Sequence, residues 1–311
     1  MSCWTGGFED CRAKWLILDK GFLFYYILGN SSVAEGTLNI MKQEKTKLGK
    51  LEMQLLAYAQ LQKKEFIFSG EIAAALDITA KQEWNLLNRM ATGGLIIRLK
   101  RGAYLAPPCL PAGGRWSVSG YFVLSRLMKV LKGRYQISGS SAFNFYDFDD
   151  QVPNRMYVYN DRIFGEKEIG GTDFVFIKTD TKRLGSTKNL KTPDGIDAVM
   201  VTKTRALVDA VYDWSRYNTL PRAYGWIAET LKKNPSIIED LIGDTLRYGN
   251  KGTVKRIGYL LAQLGVADDR LSKMKHQLGS AKSLIPWIPG QAAKGSGNKE
   301  WGVIVNGSIS Q

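Results

Sequence analysis

The chain has one histidine, His276, among 311 residues, and only three cysteines, Cys3, Cys11 and Cys109. A single histidine nearly closes mechanisms that need a histidine base or several histidine ligands. The cysteines have no paired spacing, which argues against a disulfide framework and a zinc site and fits a reducing cytoplasm. No glycine-rich segment has the spacing of a P-loop or a dinucleotide fingerprint, so no cofactor is expected. Long hydrophobic runs are missing too. Asp19 and Lys20 break the apolar stretch near the start, leaving residues 21–28, whereas a bilayer span needs about 20 residues. That stretch also lacks the basic start and small-residue cleavage site of a signal peptide, and no membrane partner is expected. No repeat at solenoid spacing is present.

Acidic residues are scarce relative to basic ones, 29 against 43, for a net charge of +14. That balance points to a polyanionic partner. The length suffices for two ordinary domains and a sizeable core. Residues 1–40 hold two of the three cysteines and differ in composition from the rest. They are predicted to be translated upstream sequence, with the native start at Met41, where a charged, helix-forming segment begins.

From there the pattern changes in a regular order. Leu51 to Leu61 has apolar residues at helical spacing, and Phe66 to Phe68 is a short extended piece. Ser69 suits an N-cap for a short helix over 70–76. Asp77 to Thr79 forms a turn, and Thr79 caps a second helix over 80–91 that stops at Gly93 and Gly94. Two strands follow, 95–99 and 103–106, around a charged turn. Helix, helix, tight turn, helix and hairpin is the order of a winged helix-turn-helix, predicted over residues 41–106. Residues 107–115, rich in proline and glycine, read as a linker.

On a wheel of 80–91, Trp84, Leu87, Met90 and Ala91 share the side predicted to face the core. Lys81, Gln82, Asn85 and Arg89 fall largely opposite. Glutamine and asparagine bond adenine edges, and arginine forks onto guanine, so this side is a candidate for reading base edges. Thr79 and Lys81 near the helix start, with Arg98, Lys100 and Arg101 at the hairpin tip, suit phosphates on either side of a groove. Phosphates would offset the mutual repulsion of the three tip cations. Residues 80–101 carry five lysines and arginines against one acid, Glu83. Tyr104 is placed to support the hairpin against the core. Double-stranded DNA is therefore the expected partner.

Residues 116–311 read as a mixed α/β domain with a helical C-terminal part, so the chain as a whole is predicted to be α+β. Helices are predicted over 118–132 and 140–145, strands at 135–137, 156–159, 163–169, 173–178 and 196–201. A further helix, capped by Thr202 or Thr204, runs to about Tyr217. Four helices follow, near 221–232, 236–247, 251–264 and 268–277, then a last strand within 301–305.

The segment from Phe68 to Leu76, continued by Gly94 to Leu105, resembles the N-terminal winged helix of AbiEi-type antitoxins. Tyr135 to Asn144 is similar to the start of that family's antitoxin domain. Val201 to Asp209 resembles its Thr-x-x-Arg-x-Leu-x-Asp helix start, and Val254 to Gly265 its later Arg-x-Gly-x-Leu-x-x-x-Leu-Gly helix. The segments 286–289 and 301–306 fit its ending. The resemblance covers about Leu51 to Asn306. It implies a transcriptional autorepressor that binds inverted repeats in its own promoter, in a phage-defence toxin–antitoxin operon. It also implies that the chain counters a nucleotidyltransferase-like toxin without a stable complex.

Arg205 and Asp209, at i and i+4, suit an ion pair along one helix face. Lys251, Lys255 and Arg256 are predicted to form a cationic patch, which Lys203 and Arg222 would extend. Catalysis is not expected. The main rival reading is a metal-dependent nuclease in which Asp161, Asp180 and Lys182 hold a metal for phosphodiester cleavage. The other is a winged helix that binds a protein and no DNA.

Overall fold

Apolar residues three and four apart give helix α1 (Lys50–Leu61) an inward stripe of Leu55, Leu56 and Ala59. The computed structural model describes residues 48–110, 114–192, 194–279 and 283–307, so the predicted upstream extension over 1–40 lies outside the described residues. After α1 come β1 (Phe66–Phe68), α2 (Glu71–Leu76), α3 (Ala80–Thr92), β2 (Ile97–Lys100) and β3 (Ala103–Leu105). The three strands form an antiparallel sheet in the order β1-β3-β2. This is the element order that the sequence predicts for a winged helix-turn-helix.

Leu55, Ile67, Ile72, Leu86, Leu87, Met90 and Tyr104 meet in one buried cluster. Each large apolar side chain so buried contributes about 1.5–3 kcal/mol relative to exposure. The α2–α3 turn is tight because Asp77 adopts the left-handed conformation (φ 51°), which short polar side chains tolerate. Between β2 and β3, Gly102 has φ 77°, a geometry that a side chain would strain. β2 alternates in burial: Ile97 and Leu99 point in, Arg98 and Lys100 point out.

The chain divides into two compact units near residue 130. The first keeps the described residues up to Val130 together with Ile169–Gly171 and 194–196. The predicted boundary at 116 therefore moves, because most of α4 (Gly120–Leu131) belongs to the N-terminal unit. Arg126 of α4 pairs with Glu65, and Lys129 lies 5.4 Å from the ring centre of Phe66. Trp116 donates its amide to the carbonyl of Gly94 at 2.7 Å. The predicted linker thus ends in a segment tied back to α3.

The second unit is built on a six-stranded mixed sheet. Its strands are β4 (Tyr135–Ile137), β5 (Met156–Asn160), β6 (Gly165–Ile169), β7 (Thr172–Lys178), β8 (Thr187–Lys191) and β9 (Asp197–Val201), in the order β6-β7-β5-β4-β9-β8. β5 pairs parallel with β7, and β4 parallel with β9; β4/β5 and β8/β9 are antiparallel. A short helix, α5 (Ser140–Phe145), follows β4.

Thr202 caps α6 (Lys203–Tyr212) by accepting the amide of Arg205. From Thr204 to Val211 every residue of α6 is buried, so it is the central helix of the unit. It ends earlier than predicted, and a separate turn of helix, α7 (Trp214–Tyr217), follows. Then come α8 (Arg222–Lys233), α9 (Ile238–Tyr248), α10 (Lys251–Gln263) and α11 (Asp268–Leu278), near their predicted spans. A small sheet of β10 (Ile285–Pro286), β11 (Ser296–Asn298) and β12 (Val303–Val305) closes the described chain. On α10, a side chain at Gly258 would meet the Trp301 ring at 2.0 Å, so glycine there is what admits the fully buried indole. The whole is an α+β fold. Among the described residues, no helix is long and apolar enough to cross a membrane.

Candidate nucleic-acid interface

The orientation of α3 follows from one buried acid. Glu83 is 3% exposed. Its carboxylate accepts the backbone amides of Gly70 (2.8 and 3.0 Å), Ile72 (2.9 Å) and Ala73 (3.1 Å). These are the unpaired donors at the start of α2, where negative charge is favoured. Glu83 therefore supplies what Ser69 was predicted to supply as a cap; the N-cap position is Gly70 and holds no side-chain cap bond of its own.

With Glu83 turned inward beside Leu86, Leu87 and Met90, Trp84 is rotated out of the core and is 61% exposed. The prediction of Trp84 as a core residue is corrected. It ranked the indole by apolarity and left out Leu86, whose inclusion turns the apolar side toward position 83. Of the expected inward set, Leu87 and Met90 are buried and Ala91 is half-buried.

The predicted polar side separates into residues with internal partners and residues without. Thr79 and Gln82 form a capping box at the start of α3. The Gln82 side-chain carbonyl accepts from the Thr79 amide (2.8 Å) and hydroxyl (2.9 Å), while Thr79 Oγ1 accepts the Gln82 amide at 3.3 Å. Arg89 leans onto α1, where its guanidinium meets Glu52 at 2.5–2.6 Å. Lys81 and Asn85 are exposed, as is Trp84 one turn on from Lys81. The side chains of Lys81 and Asn85 hold no hydrogen bond, ion pair or ring contact among the described residues.

Arg98, Lys100 and Arg101 are likewise exposed and hold no carboxylate partner among the described residues. The turn that carries them is joined to α3 through two short links. The Gly102 carbonyl accepts the Ser69 amide at 3.1 Å, and the next residue, Gly70, donates to Glu83. The hairpin turn is thus tied to the Ser69–Gly70 segment by a backbone bond, and that segment to α3 by the Glu83 carboxylate. Tyr104, 3% exposed, anchors the hairpin in the core as predicted.

In the second unit, Arg205 and Asp209 pair at 3.0 Å, and both side chains are fully buried. Asp209 also accepts from Arg183 (3.1 Å) and Ser138 (2.8 Å). Arg205 donates to the carbonyls of Arg183 (2.9 Å) and Gly185 (3.2 Å) and lies 3.9 Å from the Tyr248 ring centre. One turn on, Asp213 accepts the hydroxyl of Tyr159. Burial pushes both the Asp213 carboxyl and the Tyr159 phenol above their ordinary ranges. The i, i+4 pair is thus the centre of a closed polar network.

The predicted basic surface of this unit does not form. Lys255 and Arg256 are 5% and 9% exposed, because α10 is buried through most of its length. Lys255 donates to the Ser283 carbonyl at 2.5 Å, and Arg256 to the Pro286 carbonyl at 3.3 Å. Burial lowers both pKa values, and Lys251 adds to the lowering at Lys255. Arg222 is paired with Asp149 at 3.1 Å. Lys203 is exposed, 5.4 Å from the Phe148 ring centre.

The acids weighed for a nuclease lie just past two neighbouring parallel strands, since Asn160 of β5 is in register with Lys178 of β7. Each is taken up by a backbone amide: Asp161 accepts that of Arg134, just before β4, at 2.9 Å, and Asp180 that of Lys182 in its own loop at 2.9 Å. Among the described residues, no three histidine, cysteine or acidic side chains are grouped to hold a metal.

No family model matches the chain, and no curated protein does. Among solved structures, the chain is similar to the RV2827C protein from Mycobacterium tuberculosis. The two are 13% identical over 83% of this chain and 92% of that one, with a TM-score of 0.46. A likeness that loose carries neither fold nor function.

Proposed function

We propose that this chain is a DNA-binding transcriptional autorepressor and the antitoxin of a toxin–antitoxin operon, acting by binding rather than catalysis. Residues 48–106 serve as a winged helix. α3 lies in the major groove, and the β2–β3 turn reaches the phosphates beside it. The observation that carries this reading is the set of four exposed cations, Lys81 on α3 and Arg98, Lys100 and Arg101 at the hairpin turn, which have no carboxylate partners among the described residues. Unpaired, solvent-facing cations on a short turn repel one another, and duplex phosphates remove that repulsion. The antitoxin half rests on the resemblance of Tyr135–Asn144, Val201–Asp209 and Val254–Gly265 to the AbiEi-type family. Its functional partner would be a nucleotidyltransferase-like toxin, countered without a stable complex.

The test is a gel-shift titration with the DNA upstream of the chain's own gene, repeated from low to high salt. Promoter binding that weakens steeply as salt rises is expected. No shift, or a shift indifferent to salt, favours a protein-interaction role for the N-terminal unit instead. Co-expression with the neighbouring toxin gene tests the other half: growth should be restored without the two proteins co-purifying.

A further inference from the structure

We infer that Trp84 is a specificity-determining residue that reads thymine in the major groove; this rests on the DNA-binding reading above. Trp84 is exposed on α3 one turn from Lys81, at the edge of the side that carries Lys81 and Asn85, neither of whose side chains has an internal partner among the described residues. It is 61% exposed on a helix whose inward positions are filled by Glu83, Leu86, Leu87 and Met90. Rotating it into the core would pull Glu83 off the three amides at the start of α2. The fold therefore holds the indole outside.

Covering a large apolar ring that the fold leaves in water is favourable, so a partner seated on α3 gains affinity by burying it. The surroundings select what covers it. Besides Trp84, the exposed residues of α3 are Ala80, Lys81, Gln82, Asn85, Arg89 and Thr92, and those of the hairpin are Arg98, Lys100 and Arg101, so no second large apolar side chain is exposed on either. A protein interface calls for a core depleted in charge, whereas α3 and the hairpin together expose five cations and one aromatic, the second exposed aromatic among the described residues of this unit being Phe68 on β1. Duplex DNA matches it in charge. On the floor of the major groove the apolar group is the C5-methyl of thymine. The lysines and arginines fix the module on the phosphates without reading sequence. The indole adds little to that electrostatic part and instead buries itself against a methyl that only thymine provides.

The experiment compares the wild type with Trp84→Ala and Trp84→Phe on three duplexes. One is the promoter fragment. The second is a set in which each of its thymines in turn is replaced by deoxyuridine, which lacks the methyl. The third is an unrelated duplex of the same length. The wild type should lose affinity by about three- to tenfold at one or two of the deoxyuridine positions. Trp84→Ala should bind the promoter about tenfold more weakly and be indifferent to the methyl at those positions, yet bind the unrelated duplex as the wild type does. Trp84→Phe should keep part of the discrimination. Thermal unfolding should be unchanged in both variants, since the side chain is exposed.

If Trp84→Ala keeps wild-type affinity and methyl sensitivity, the inference is overturned while DNA binding stands. The same holds if the substitution changes only self-association, measured by sedimentation. If the wild type shifts no DNA at all, the DNA-binding reading falls and takes this one with it.

Discussion

Glu83 shows how one residue sets the geometry of its neighbours. An acid inside an apolar cluster is unfavourable unless its lone pairs are filled, and here three amides fill them. Glu83→Ala should leave those donors short of partners and loosen the α2–α3 pair, lowering unfolding stability by about 1–3 kcal/mol in urea titration. A change inside about 0.5 kcal/mol, the range of ordinary surface substitutions, would show that water replaces the carboxylate freely. Half the outward set of α3 was legible from side-chain type alone. Lys81 and Asn85 are exposed as a wheel places them. Gln82 and Arg89 are exposed too, but their partners, Thr79 and Glu52, are matters of cap geometry and of a helix thirty-seven residues away.

At the scale of elements, α6 is the clearest case of tertiary context overriding a local reading. Arg205 and Asp209 sit one turn apart, a spacing that on a solvated helix would be a weak pair worth a few tenths of a kcal/mol. Because the helix is enclosed on all sides, the pair is dry and bonded throughout. Removing one partner strands a buried charge. Asp209→Ala should therefore destabilise the protein by about 3–5 kcal/mol, whereas replacing Arg205 by Met and Asp209 by Leu together should cost less than the sum of the two single changes, the remainder coming from Arg183 and Ser138 left without their acceptor. Calorimetric unfolding of the single and double variants checks this. A double loss equal to the sum of the single losses would mean that packing, not charge, dominates. The same enclosure explains α10. Lys255 and Arg256 look like surface residues in sequence, yet helix and tail cover them, and their charged ends are met by the Ser283 and Pro286 carbonyls.

For the whole molecule the decisive quantity is where the excess positive charge lies. A net +14 is a statement about the chain; it says nothing of which surface carries the charge. Replacing Arg98, Lys100 and Arg101 by Ala removes three exposed cations whose side chains make no hydrogen bond or ion pair among the described residues. Stability should hardly change. The slope of the logarithm of promoter affinity against that of salt concentration should shrink by about two to three, close to one for each lost phosphate contact. An unaltered slope would place the DNA contacts elsewhere on the protein.

The amino-acid sequence by itself determined most of the elements and their order, though not β8, β10, β11 or the break between α6 and α7, together with the α+β class and the alternation that turns Arg98 and Lys100 outward. These depend on periodicity, caps and turn residues, all local in the chain. The tertiary structure alone decided which polar groups stay free. Glu83, Arg89, Arg205, Lys255 and Arg256 each take partners distant in sequence. Only folding brings an unfilled amide, carboxylate or carbonyl within hydrogen-bonding reach, and a charge removed from water must accept the partner that packing provides.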